Sequence, residues 1–268
     1  MAWYQGNWAS VAAGAMLGLF DNYVVLNDKW SVHDAAAAAN SKVYKCEDAA
    51  KNVLFYVLVS DNQANLAIIE LWEGWNAVTH AGTGANIKVF SSTNTFQVRR
   101  YIGAWGLSVL DHRIIYVDLV NGTTCYIGCP RRIDESKNIV LLVSESGGTS
   151  RYNNLAYFIN STNGGCRFLF DENGNQSLGN LDGGSSNSTG RRLKGIDGVI
   201  RLPGELPISG ASSDLVVGTL EGVIDCGGSS GPNNCGFALG ETVAIDGVDW
   251  IAVTGSYGTK YWSLIRKA

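Results

Sequence analysis

Val53-Leu54-Phe55-Tyr56-Val57-Leu58-Val59 is an unbroken apolar run with β-branched and aromatic members, and it stops at Ser60-Asp61-Asn62-Gln63. A second run, Leu66 to Trp72, follows at once. Two such runs, short and parted by turn formers, predict two strands joined as a hairpin, the first covered on both faces. The rhythm continues at Ile87 to Phe90, Phe96 to Ile102, Ile114 to Val120, Thr123 to Gly128, Ile139 to Ser144, Leu155 to Ile159 and Arg167 to Phe170. That spacing predicts an all-β fold, mainly an antiparallel β-sandwich or barrel. Asn121-Gly122 predicts a two-residue hairpin turn between two of these strands. The 33 Gly against 4 Pro suit many tight turns between short strands.

The first fifty residues differ. Ala9 to Gly18 and Asp34-Ala35-Ala36-Ala37-Ala38-Ala39 have helical composition, and Asp34 is placed to cap a short helix over the second segment. Residues 1–50 therefore read as an N-terminal arm with a short Ala-rich helix, free to dock on an adjacent subunit, and residues 51–170 as a β-sandwich domain. Residues 171–190 lose the apolar rhythm and fill with Asn, Gly and Ser, which predicts a loop or linker. Strand-like pieces resume from Gly198 to Leu202, Leu215 to Ile224, Val243 to Ile245, Trp250 to Thr254 and Tyr261 to Ile265. Residues 191–268 form a C-terminal β region, open to being part of the same fold and ending in a hairpin.

Charge narrows the partners. Charged residues are 16% of the chain, below the roughly 25% of an average soluble domain, so much of the surface is neutral and polar. With a net charge of −4 and no dense Lys/Arg run, the phosphate-neutralising stripe that drives nucleic-acid binding is missing. The apolar stretch from Trp8 to Phe20 is too short for a membrane-crossing helix, and no Lys or Arg precedes Lys29 to mark a secretion signal. The expectation is no nucleic acid, no membrane insertion and no secretion address.

Six cysteines stand at Cys46, Cys125, Cys129, Cys166, Cys226 and Cys235, without a C-x-x-C and with only three histidines, His33, His80 and His112. A zinc site is not expected; buried thiols are. Cys125 and Cys129, four apart on a strand, would lie about 13 Å from each other, beyond disulfide reach. Cys226 and Cys235 flank the loop Gly227 to Asn234, and a bridge closing it is geometrically open to them in an oxidising setting.

Catalytic motifs fare poorly. Gly227-Gly228-Ser229-Ser230-Gly231 matches G-x-S-x-G, but no histidine follows His112 to complete a hydrolase order, so a Gly/Ser loop is the simpler reading. Glu70 and Glu73 could pair as glycosidase carboxylates, yet three apart on a strand they point to opposite sides. His80-Ala81-Gly82-Thr83-Gly84 lacks the lysine of a phosphate-binding loop and reads as a turn. No catalytic residue, cofactor or metal is expected. The aromatic residues Trp72, Trp75 and Trp262, at strand ends and turns, are candidates for subunit-interface packing or, alternatively, for glycan contact.

The segment Ala67-Ile68-Ile69-Glu70-Leu71-Trp72-Glu73-Gly74-Trp75, with His80-Ala81-Gly82-Thr83-Gly84 after it, resembles virion structural proteins of tailed bacteriophages. So does the closing pattern Trp250-Ile251-Ala252-Val253 followed by Tyr261-Trp262-Ser263-Leu264-Ile265-Arg266-Lys267-Ala268. The likeness spans residues 42 to 120 and the C-terminus. It implies a β-rich, non-enzymatic component, in the tail or baseplate more than in the neck or capsid, assembled in the host cytoplasm. Its partners would be copies of itself and other virion proteins, with a host-surface glycan as the alternative ligand.

Overall fold

The computed structural model describes residues 2–87, 89–91, 94–95, 97–132, 140–145, 157–160, 165–168, 193–194, 200–201, 206–209, 216–224, 238–253 and 264–267. Strand β1 (Ala2–Trp8) leads to a single-turn helix α1 (Ala15–Leu19), which runs on into a π-helical turn, Phe20–Val24. Next come β2 (Trp30–Ala38), β3 (Ser41–Glu47), β4 (Val53–Gln63), β5 (Leu66–Asn76) and β6 (Ala81–Ile87). A small ladder of β7 (Val89–Ser91) and β8 (Asn94–Thr95) precedes β9 (Gln97–Arg99). The strands β10 (Gly103–Leu110), β11 (Arg113–Asp118), β12 (Thr124–Gly128), β13 (Arg131–Arg132) and β14 (Leu141–Glu145) follow.

Two antiparallel sheets dominate. One has the order β1-β10-β11-β12-β14, and the other β2-β3-β4-β5-β6 with β9 also paired to β5. Their inner faces share one core. Tyr44, Cys46, Phe55, Val57, Val59, Ala67, Ile69 and Leu71 from the second sheet meet Trp105, Leu107, Val109, Ile114, Tyr116, Cys125 and Ile127 from the first. The all-β expectation holds, with one short α-helix among the described residues, near the N-terminus. That helix plugs one end of the sandwich through Met16, Leu17 and Leu19, joined by Phe20 and Val24 of the π-helical turn.

The two sheets treat their outer faces differently. In β4, Phe55, Val57 and Val59 are buried while Leu54, Tyr56 and Leu58 are only half-buried, so the run is not covered on both faces as its composition predicts. The doubly covered strands are β11 and β12, buried at every position. C-terminal segments meet this sheet: Gly222 packs on the Arg113 guanidinium of β11, and the Lys267 ammonium lies 5.9 Å from the ring centroid of Trp3 in β1. Those segments belong to a four-stranded sheet in the order Val223–Ile224, Leu264–Arg266, Val248–Ala252, Thr242–Ile245. Trp250 pairs with Arg266 across it, the antiparallel closing pair expected from the sequence.

Three expectations are overturned. Asp34 to Ala39 is not a helix: β2 runs through it and pairs with β3. A six-residue helix lies below the length at which helices sustain themselves, and the small helical advantage of alanine yields to a ladder with β3. Nor are the first fifty residues a free arm, since β1 pairs with β10 from Ala2 to Trp8, and β2 and β3 continue the β4-β5 sheet. At Asn121-Gly122 only Gly122 takes a positive φ, 66°, and the strands end at Asp118 and resume at Thr124. The turn is longer than two residues because the Asp118 carboxylate accepts from the amides of Val120 and Asn121, each at 3.0 Å. The proposed linker at 171–190 lies outside the described residues.

Candidate functional site

Pairing register aligns the outer face of the second sheet. Lys45 stands opposite Tyr56, Tyr56 opposite Trp72 and Trp72 opposite Asn86; on the next row Asp34 faces Val43, Val43 faces Leu58 and Leu58 faces Glu70. A register shift between Trp72 and Gly74 turns the end of β5, and Trp75 comes back over the same face. The Trp72 and Trp75 rings then meet edge to face, with centroids 5.9 Å apart. The His33 ring lies 4.8 Å from that of Tyr56.

A buried carboxylate organises the end of this face. Asp34 is 5% exposed. Its Oδ2 accepts from Trp75 Nε1 at 2.9 Å and from His80 Nδ1 at 2.8 Å, and its Oδ1 accepts from the Ala36 amide at 3.0 Å. Burial alone would raise the Asp34 carboxyl, but donation from His80, Trp75 and Ala36 outweighs it and holds the group below the ordinary carboxylate value. An ionised Asp34 only accepts hydrogen bonds, so His80 Nδ1 donates to it.

His80 reaches Asp34 because the chain turns sharply before it. Asn76 Oδ1 accepts from the amides of Val78 at 2.9 Å and Thr79 at 3.1 Å, and His80 itself adopts a left-handed φ of 51°. The imidazole is 44% exposed, against 4% for the Asp34 side chain. Its Nε2 has no hydrogen-bond partner among the described residues. His33 joins from the other side, its Nε2 donating to the Trp75 carbonyl at 3.4 Å. Trp72 Nε1 donates to Glu70 Oε2 at 3.0 Å, and the Trp72 ring lies flat on Gly82, where any Cβ would collide with it.

Of the residues singled out from sequence, Trp72 and Trp75 are brought together, while Trp262, Cys226 and Cys235 lie outside the described residues, as does the G-x-S-x-G segment. Glu70 and Glu73 do not converge: Glu70 holds the Trp72 indole, and Glu73 packs beside Gly84. The glycine-rich stretch after His80 is strand β6. Cys46, Cys125 and Cys129 are buried, and burial raises the Cys46 and Cys125 thiols well above the ordinary thiol value. Two histidines share the site, but His112 stands in the β10-β11 turn of the other sheet, 3.5 Å from Glu221. Asp34 and His33 were missed by sequence reasoning. The one available signal is that Asp is disfavoured inside strands, so a strand aspartate asks for a partner.

An imidazole held by a buried carboxylate is half of a proton-transfer device. No hydroxyl or thiol is bonded to His80 Nε2 among the described residues. Among the described residues no group of three or more His, Cys, Asp and Glu side chains is arranged to hold a metal ion. No helix among them is long and apolar enough to cross a membrane. In comparison with known proteins, the chain matches no family model and no curated sequence.

Proposed function

We propose that the chain is a non-enzymatic structural component of a tailed-bacteriophage virion, in its tail or baseplate, working through contacts with copies of itself and with other virion proteins. The sequence resemblance suggests the setting. The observation that carries the non-enzymatic part is how the acidic side chains are used: as ties between strands and turns. Asp34 bridges β2 to the β5-β6 turn, and Asp61 bridges β4 to α1 and to Arg100. Asp118 closes the β11-β12 turn, and Glu221 joins His112 and Arg131. A chain stitched in this way resists distortion, which suits a part that carries load between neighbours. A low charge and a surface of neutral polar groups suit large subunit interfaces, and copies arranged around a tube would close as a ring.

Mass spectrometry of purified particles tests the placement, with mass photometry of the isolated protein beside it. Stoichiometric presence in particles, and a closed oligomer in solution or on co-expression with neighbours, is expected. Absence of the chain from particles overturns the reading.

A further inference from the structure

We propose that Glu221 is an acid-released clasp: ionised, it pins the C-terminal four-stranded sheet to the first sheet of the sandwich, and protonated, it lets that sheet detach as a unit. The inference goes beyond the virion placement and does not rest on it.

The clasp stands where the chain crosses from one sheet to another. The strand Val216–Leu220 pairs with β13, which follows β12 in the chain, and Val223–Ile224 pairs with Leu264–Arg266 of the C-terminal sheet. Glu221 and Gly222 are the whole of the link between those two strands. Gly222 takes a left-handed φ of 77° and packs against the Arg113 guanidinium, while its carbonyl accepts from the Arg266 amide at 2.9 Å.

Glu221 is held from two places beside this crossing. Its side chain is 15% exposed; Oε1 accepts from Arg131 Nη2 of β13 at 3.0 Å, and Oε2 lies 3.5 Å from Nε2 of His112. Arg113 of β11 adds its charge from the side of Gly222. Asp111, next to His112 in the chain, is turned to Asn27 Nδ2 at 3.2 Å, and Arg266 of the C-terminal sheet lies against Gly222.

Both parts have the means to stay folded when the clasp lets go. Trp250, Ala252 and Leu264 form an apolar cluster with Val243, Ile245 and Val248 inside the C-terminal sheet, apart from the core that the two large sheets share. On β11, Ile114 and Tyr116 face that shared core, so strand alternation turns Arg113, Ile115 and Val117 to the other side. Ile115 and Val117 are fully buried on the side where Gly222 meets Arg113, so release admits water to an apolar strip.

The direction of the pH effect follows from the carboxylate. Donation from His112 first, then from Arg131, outweighs burial and holds the Glu221 carboxyl down at about 2 against an ordinary 4.5. A folded value below the unfolded one means that the clasp is complete above about pH 4.5 and is lost as pH falls toward 2. The Arg113 and Arg131 guanidiniums keep their charge throughout that window.

The test is hydrogen exchange of the full chain, native against Glu221→Gln, with the two compared at the same pH so that the intrinsic chemistry cancels. At neutral pH the amides of Val223–Ile224 and Leu264–Arg266 are expected to exchange as a group ahead of those of β4 and β5 in the native chain. In Glu221→Gln they are expected to exchange roughly tenfold faster or more, and the gap between the two chains closes as pH falls from 4.5 to 2. Arg131→Ala, at an exposed side chain, raises the same amides by a smaller factor. Equal rates in the native and Glu221→Gln chains at neutral pH overturn the proposal. So does a C-terminal sheet that exchanges no faster than β4 and β5, because it then opens only with the whole molecule.

Discussion

The most consequential single residues are the ones whose charges are fully enclosed. Asp61 and Arg100 are both 0% exposed, with Arg100 Nη2 2.7 Å from Asp61 Oδ1 as a contact ion pair. The same carboxylate accepts from the Met16 amide at 2.6 Å, and Arg100 also donates to the carbonyls of Gln63 and Ala12. Asp61 thus caps the first turn of α1 from a distant strand, a role no local helix signal could reveal. Arg100→Met would leave that carboxylate buried and unpaired, and urea unfolding is expected to show a loss of about 3–5 kcal/mol. The double change Asp61→Leu with Arg100→Met is expected to cost less than the sum of the single changes. On the other sheet, the hydrogen bond from His112, with Arg131 next, pulls the Glu221 carboxyl down from 4.5 to about 2 against the opposing effect of burial. A depressed folded value means the stabilisation is complete above about pH 4.5 and is lost as pH falls toward 2. Melting temperature measured across that window should fall more steeply for the native chain than for Glu221→Gln.

Elements show what local pattern can and cannot decide. The hairpin of β4 and β5 was legible because its apolar runs and the turn between them act locally, and the structure pairs Tyr56 with Trp72 and Val59 with Ile69. The strand β2 was not legible. Its alanines carry no side chain that could mark a face, and what makes them a strand is pairing with Val43 and the hairpin closure of Ala38 on Ser41. The site inherits this difference: Trp72 and Trp75 stood out by composition, whereas Asp34 became visible as a ligand of His80 only once β2 was placed beside the β5-β6 turn. Gly82 is the clearest element-level test. A Cβ there would collide with the Trp72 ring, so Gly82→Ala must push the indole away from the strand. Near-ultraviolet circular dichroism should lose the signature of the paired tryptophans, with a destabilisation of about 1–3 kcal/mol.

At the scale of the whole molecule, the sandwich is asymmetric. β11 and β12 of the first sheet are buried throughout, with C-terminal segments against Arg113 and Trp3, whereas Tyr56, Trp72 and Trp75 of the second sheet are half-buried. The alternation of short strands conveyed the fold class, but the assignment of covered and open faces depends on which distant segments fold back, and strand composition carries no record of that. Cryo-electron microscopy of the assembled particle tests the central claim most directly. Density for this chain in a symmetric ring of the tail or baseplate, with polypeptide neighbours in contact around it, is the predicted result. A particle fully accounted for by other chains would contradict it.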